Sequence, residues 1–73
     1  NPARERELRK LLDKYDRQMT KFDTEIKEDH DKMTQERGHY EKLGELDAKL
    51  RELNEKRQLI EQDWLETATE LDG

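Results

Sequence analysis

The chain of 73 residues contains no cysteine, and its only proline is Pro2. Without cysteine it can form no disulfide, no thiolate metal site and no cysteine nucleophile. No apolar run approaches the roughly 20 residues that a membrane span requires, and there is no signal-peptide pattern. A chain of this length also lacks the two-sided core of an enzyme fold, so length and composition argue against catalysis.

Charge is abundant, and the apolar residues are ordered. Charged residues make up 48% of the chain and hydrophobic residues 29%, a balance typical of disorder when the apolar residues are scattered. Here they recur at alternating spacings of four and three residues, with one series before Gly38 and a second after it. Such spacing places one apolar seam along each helix, and each seam must be buried against a partner. We therefore predict an all-α fold, a two-helix antiparallel coiled-coil hairpin. The seam residues are Leu8, Leu12, Tyr15, Met19, Phe22, Ile26 and Met33, then Leu43, Leu46, Leu50, Leu53, Ile60, Trp64 and Leu71.

Three further seam positions are polar, namely Asp29, Arg57 and Thr67. We expect Arg57 to lay its methylene groups on Phe22 and to raise its guanidinium to the rim of the seam. Asp29 is expected to reach solvent or a neighbouring lysine. Trp64 occupies a seam position, so we predict that it is a core residue with its indole N–H at the seam edge.

Local signals set the helix boundaries. Asn1 can cap the first helix with Pro2 in its first turn, and Gly38 tolerates the positive φ that follows a helix end. We predict a first helix over about 2–37, a tip over about 38–41 and a second helix over about 42–71. The second helix has no Ser, Thr, Asp or Asn cap, so we expect a frayed tip. Residues 1–73 are predicted to form one domain, excised from a larger protein.

The register of the two helices follows from the position of the tip. The simplest arrangement places Tyr15 opposite Trp64. A register shifted by about one helical turn, with Leu12 opposite Trp64, would also fill the seam. It would, however, place equivalent heptad positions of the two helices opposite each other, a against a and d against d. We prefer the first register.

Basic residues are concentrated in the first half of the first helix. Seven lie between Arg4 and Lys21 against four acidic residues, although the chain has a formal net charge of −5. Five of the seven recur at spacings of three or four residues and form one outward stripe opposite the seam. Such a stripe could follow the phosphates of a nucleic acid. The basic stripe consists of Arg6, Lys10, Lys14, Arg17 and Lys21.

The alternative is that the basic stripe is only a solvated face. The second helix returns four acidic residues to the same end of the hairpin, where they could neutralise the field of the stripe. They are Asp63, Glu66, Glu70 and Asp72.

No other motif indicates a reactive site. Asp29, His30 and Asp31 are consecutive, and neighbours in a helix point about 100° apart, so we do not expect them to converge on a metal ion. No Walker pattern, glycine-rich phosphate loop or nucleophile with its base can be assembled, so we expect no metal, cofactor or ATP site in this chain. Tyr40 at the tip could be a loop anchor or a contact residue.

The second half of the chain resembles a known domain. The segment YEKLGEL at 40–46, followed by Leu50 and Leu53 and by EQDWLE at 61–66, is similar to the C-terminal domain of ABC-F ATPases of the Uup type. In that family the domain is a two-helix antiparallel coiled coil after the second nucleotide-binding cassette. The resemblance covers nearly the whole chain.

The resemblance implies a cytoplasmic bacterial protein whose ATP-binding cassettes lie upstream, outside this chain. The hairpin would then assist the engagement of nucleic acid, either DNA or the RNA of the ribosome, with the basic stripe making weak, salt-dependent phosphate contacts. Its other partners would be the parent cassettes, and the hairpin itself would be a monomer or a weak homodimer. The competing hypothesis is a purely structural coiled coil that spaces, docks or dimerises a larger protein.

Overall fold

The computed structural model describes all 73 residues as two α-helices, α1 (Pro2–Gln35) and α2 (Tyr40–Asp72), joined by a short tip. The helices pack side by side into a rod with extents of 57 × 14 × 12 Å. Contacts between the two helices occur near the tip, in the middle and at the open end, so the sequence prediction of an all-α helical hairpin is confirmed. Neither helix contains a stretch long and apolar enough to cross a bilayer.

Both outer ends of the hairpin are closed by local hydrogen bonds. The side-chain oxygen of Asn1 accepts from the backbone N–H of Ala3 at 3.1 Å and of Arg4 at 3.4 Å, with Pro2 as the first helical residue. At the other end, the backbone N–H of Gly73 donates to the Thr69 carbonyl at 3.0 Å. These bonds satisfy helix-terminal groups that would otherwise lack partners.

The tip lies about two residues earlier than predicted, over 36–39. Gly38 has the expected positive φ of 91°, but α1 has already ended at Gln35 and α2 begins at Tyr40. The shift has a local cause, because Glu36 binds His39 twice. Its carbonyl accepts from the His39 backbone N–H at 3.0 Å and its carboxylate lies 2.6 Å from His39 Nδ1. The His39 hydrogen bond also lowers the pKa of Glu36.

The seam residues lie between the helices, but a two-helix rod encloses few of them. Leu8 and Leu53 are buried, whereas the remaining apolar seam residues are half-buried. Trp64 is one of the half-buried residues. Its indole nitrogen is covered and has no hydrogen-bond partner, so the expectation that this N–H lies at the seam edge was wrong.

The three polar seam residues differ in how they are accommodated. Thr67 is buried, and its hydroxyl donates to the Asp63 carbonyl at 2.8 Å. Arg57 raises its guanidinium to the rim as predicted, where Nε lies 2.5 Å from Asp23 and Nη1 lies 3.5 Å from Glu61. The hydrogen bond to Asp23 raises the pKa of Arg57.

Asp29 contradicts its prediction, because it reaches neither solvent nor a lysine. The residue is only 3% exposed, and neither carboxylate oxygen has a hydrogen-bond partner. The short aspartate side chain cannot extend past the seam in the way that the longer arginine does. Asp29 is therefore a destabilising element in the interface.

The ion pairs between the helices do not separate the two registers. Arg57 binds Asp23, the neighbour of its predicted opposite residue Phe22. Arg4, however, binds Glu70 at 2.9 Å, which the shifted register would favour, and a tip over 36–39 favours that register as well. Long ionic side chains reach across about one helical turn, so both pairs fit either alignment.

Engineered cysteine pairs test the register. Tyr15→Cys combined with Trp64→Cys should form an intramolecular disulfide on oxidation, since a disulfide needs Cα atoms within about 7 Å. Leu12→Cys combined with Trp64→Cys should bond poorly, and each single variant controls for intermolecular dimers. Gel mobility under non-reducing conditions reports the outcome. Efficient bonding only in the second pair would establish the shifted register.

Replacing Asp29 with leucine should stabilise the hairpin, because it removes an unpaired buried carboxylate and adds apolar contact. We expect the free energy of unfolding in urea to rise by about 2 kcal/mol. Asp29→Asn keeps the size and an unpaired polar group, so its gain should be smaller. A leucine variant no more stable than the parent would contradict the buried, unpaired state of this carboxylate.

Candidate nucleic-acid interface

The basic stripe lies on the outer face of α1, opposite the seam. Its residues follow one another at intervals of four, four, three and four positions, so successive members are neighbours on one helix face. From Arg6 to Lys21 the stripe runs for roughly 22 Å along the helix axis. The rod is straight enough over this length to present the cations as one line.

All five stripe residues are exposed, and none forms an ion pair or a side-chain hydrogen bond within the chain. Half of the ten cations outside the stripe are paired within the chain. Arg51 binds Asp47 at 3.0 Å, and Lys56 binds Glu52 at 2.8 Å. The stripe is therefore a set of free cations.

Arg4, two residues before the stripe, differs from the stripe residues because it is paired. It is the only basic residue between positions 4 and 21 with an ion-pair partner, lying 2.9 Å from Glu70 and 3.1 Å from Glu7. The hydrogen bonds to these two carboxylates raise the pKa of Arg4, with Glu70 contributing most. This contact joins the open ends of the two helices.

The acidic residues of α2 do not reach the basic stripe. Of the four that could have neutralised it, only Glu70 forms an ion pair, and its partner is Arg4. Asp63, Glu66 and Asp72 have no cationic partner in the chain. None of these residues forms an ion pair with the stripe, but all four contribute a negative field at the open end, so the alternative of a neutralised, solvated face stays open.

The stripe contains like-charge neighbours. Each of its cations has another one three or four residues away, and such pairs cost about 0.2 to 0.5 kcal/mol each in a helix, although acidic residues at the same spacings, such as Asp13, offset much of this cost. Lys10, Lys14 and Arg17 also line a shallow groove on the surface of α1, together with Glu7 and the half-buried Leu11. A bound polyanion would relieve this repulsion.

No metal centre accompanies the stripe. Asp29 is buried in the seam while His30 and Asp31 are exposed, so the three consecutive residues face different directions. No group of three or more histidine, aspartate and glutamate side chains is arranged to hold a metal ion.

The sequence prediction missed a second group of cations near the tip. Lys32, Lys42 and Lys49 line one groove together with Glu36, Glu45 and Leu46. Each of these lysines directly precedes a seam residue, so heptad position alone places them along the same edge of the interface. Tyr40, which the sequence left as an anchor or a contact residue, is 85% exposed and anchors nothing.

Comparison with known proteins adds no relative. No protein-family model, curated protein or solved structure matches the chain. The resemblance to the C-terminal domain of ABC-F ATPases therefore stays a hypothesis.

Removing three cations of the stripe should change the stability of the hairpin little, because its seam stays intact. In Lys10→Gln, Lys14→Gln, Arg17→Gln four like-charge neighbour pairs disappear together with three opposite-charge pairs, and glutamine keeps a similar helix propensity. We expect the free energy of unfolding in urea to change by less than about 0.5 kcal/mol. Urea is chosen because guanidinium would screen the charges.

The matched control removes paired cations. Arg51→Gln combined with Lys56→Gln breaks two ion pairs, so its stability should fall slightly. A triple stripe variant that loses at least as much stability as this control would show that its cations are engaged within the chain.

Proposed function

We propose that the hairpin is a non-catalytic accessory domain that binds nucleic acid through the basic stripe. The observation that carries this proposal is the single line of five exposed cations without partners, in a chain whose ion pairs use five of the other ten basic residues. Cations held in one line can neutralise successive phosphates and release their counterions. The residues in this role are Arg6, Lys10, Lys14, Arg17 and Lys21.

The chemistry of the stripe favours binding without sequence preference. Lysine and arginine on a helix face contact phosphates, whereas sequence is read by groups that enter the grooves of a duplex. No aromatic residue is exposed along the stripe, since Tyr15 and Phe22 are half-buried in the seam. The negative net charge and the acidic end of α2 limit affinity, so we expect a dissociation constant no tighter than roughly 10⁻⁶ M.

The resemblance to ABC-F ATPases supplies a context for this proposal. In that context the hairpin is a C-terminal arm in the cytoplasm, and ATP is bound by cassettes outside this chain. The arm adds weak contacts to DNA or to ribosomal RNA, while the cassettes supply the chemistry. Weak binding suits an accessory domain, because a second linked contact raises overall affinity through effective concentration.

The structural alternative takes the hairpin as a coiled-coil arm that docks or dimerises a larger protein. Leu59 and Leu65 favour it to some extent, being 62% and 53% exposed. They are six residues apart in α2 and so point to different sides of the helix, which leaves no continuous apolar patch.

Binding to a blunt duplex tests the proposal. Fluorescence anisotropy with labelled duplexes of about 20 base pairs, longer than the stripe, should show binding at about 50 mM salt. Five neutralised phosphates predict a slope of log K against log salt near −4.5, and the variant Lys10→Gln, Lys14→Gln, Arg17→Gln should bring it toward about −2. DNA and RNA duplexes and scrambled sequences should bind alike.

The matched control removes the same charge from the other helix. Lys49→Gln, Arg51→Gln, Lys56→Gln changes three exposed residues of α2, so its binding to the blunt duplex should fall much less. Helical circular dichroism should be retained in both variants, since neither touches the seam. No binding at low salt, or equal losses in the two triple variants, would favour the structural alternative.

A further inference from the structure

One side of the rod is open between the two helices. The groove in the middle of this side is lined by three apolar seam residues, Phe22, Leu53 and Ile60, and a groove nearer the tip contains a fourth, Leu46. Of these four only Leu53 is buried, and the others are half-buried. The partner helix therefore leaves the seam incompletely covered on this side.

Both grooves belong to one edge, because residues one heptad apart occupy the same side of a coiled-coil helix. Heptad repeats connect the lining residues of the two grooves and reach the open end, where Arg4 lies 2.9 Å from Glu70. We call these two rows of residues the groove edge. In α1 the groove edge consists of Arg4, Leu11, Gln18, Glu25 and Lys32. In α2 it consists of Lys42, Lys49, Lys56, Asp63 and Glu70.

Charge on the groove edge changes sign along each helix. With the flanking residues three positions after each member, and with Glu36 of the tip groove, the first half of α1 (4–21) has three basic residues and one acidic. The second half of α1 (25–36) has one basic residue and three acidic. In α2 the first half (42–56) has three basic residues and two acidic, and the second half (59–73) has three acidic and no basic. Each helix is thus positive in its first half and negative in its second.

This distribution favours antiparallel neighbours. Antiparallel packing brings a positive half against a negative half, whereas parallel packing brings like charges together. The most basic half is the first half of α1 and the most acidic is the second half of α2, and both lie at the open end of the rod. In an assembly of two hairpins they meet when α1 of one copy lies beside α2 of the other, with both tips at the same end.

Charges at the open end that lack a partner fit this arrangement. Lys14 of α1 and Asp63 and Glu66 of α2 form no ion pair within the chain, although they lie at the same end of the rod. Lys14 and Glu66 lie on the outer flanks of the groove edge, one on each helix, so they do not meet across a single hairpin. A second copy would place its own Asp63 and Glu66 beside Lys14.

We propose that two copies of this chain pack groove edge against groove edge into an antiparallel four-helix bundle with both tips at the same end. The contact covers the half-buried seam residues of the two grooves, together with Leu11 and the exposed Leu59 beside them. The rod measures 57 × 14 Å, which gives each copy a face of up to roughly 800 Å², the area per partner of a standard interface. Four helices can enclose a core that two leave open.

This inference does not rest on the proposed function. Lys14 and Lys21 belong both to the basic stripe and to the flank of the groove edge, whereas Arg6, Lys10 and Arg17 lie outside it. The second copy and a nucleic acid would therefore compete for the two shared lysines. The test is made without nucleic acid, so its failure leaves the test with the blunt duplex unaffected.

Sedimentation equilibrium over about a hundredfold range of protein concentration tests the bundle. The mass of the parent should rise from that of one chain, 8.9 kDa, toward twice that value. Asp63→Lys combined with Glu66→Lys should stay at the mass of one chain, because like charges then meet at the open end. The matched control, Glu55→Lys combined with Asp72→Lys, changes the net charge equally but away from the groove edge, so it should dimerise as the parent does.

A mixture of two variants tests which helices meet. Lys14→Glu combined with Lys21→Glu should also stay monomeric by itself. Mixed in equal amounts with Asp63→Lys, Glu66→Lys, it should restore the mass of a dimer, because α1 of each variant then faces an opposite charge on α2 of the other. If α1 instead met α1 of the second copy, the mixture would bring like charges together and remain monomeric.

A change outside the charges covers the case in which a charge variant does not fold. Leu59→Gln alters a residue exposed in the single hairpin, so the helical circular dichroism should persist. It should weaken the dimer at least about fivefold, because each copy loses apolar burial in the contact. Leu65→Gln is the matched control, since Leu65 is exposed on another side of α2 and should leave the dimer unchanged.

Three results would overturn the bundle. The first is a parent that keeps the mass of one chain at every concentration. The second is an equal effect of a variant and its matched control, because overall charge or hydrophobicity would then explain it. The third is a folded pair of charge variants whose mixture stays monomeric, which rejects the contact between α1 and α2 of different copies.

Discussion

The hairpin depends on the mutual burial of two apolar seams. Each helix has one apolar stripe, and the partner helix is the only surface in the chain that can cover it. With only two helices the cover is incomplete, since Leu8 and Leu53 are the only hydrophobic residues classed as buried. Stability therefore comes from many half-buried contacts along the rod, and a single unpaired polar group such as Asp29 removes a large share of it.

Features set by local sequence could be predicted, and those set by contact between helices could not. The alternating spacing of apolar residues gives the fold, Asn1 gives the first cap, and Gly38 gives the positive φ of the turn. The turn nevertheless lies about two residues earlier than predicted, because Glu36 and His39 close it. They do so through side-chain and backbone hydrogen bonds that the spacing of apolar residues does not predict. The prediction that Asp29 reaches solvent or a lysine was wrong for a related reason, since the exposure of its side chain depends on packing across the seam.

The same distinction between local sequence and contact between helices applies to the candidate site. Periodicity places the basic stripe on the outer face of α1, because residues three and four apart share a side of the helix. Whether those cations are free depends on the partner helix. Arg4 and Arg6 look alike in the sequence, but only Arg4 meets a carboxylate of the partner helix, that of Glu70. The lysine groove at the tip was missed because its members come from both helices, although the heptad position of each lysine, directly before a seam residue, places all three along one edge of the interface.

The unpaired cations of the stripe call for an explanation, because the rod has little stability to spare. A coiled coil can relieve charge with ion pairs one turn apart, as Lys56 does with Glu52 in α2. The outer face of the first half of α1 instead places cation beside cation, and none of the five stripe residues forms an ion pair. Since the seam and the outer face share no residues, this arrangement is not required by packing. The proposed polyanionic ligand would account for it, because phosphates would turn the repulsion along the stripe into attraction.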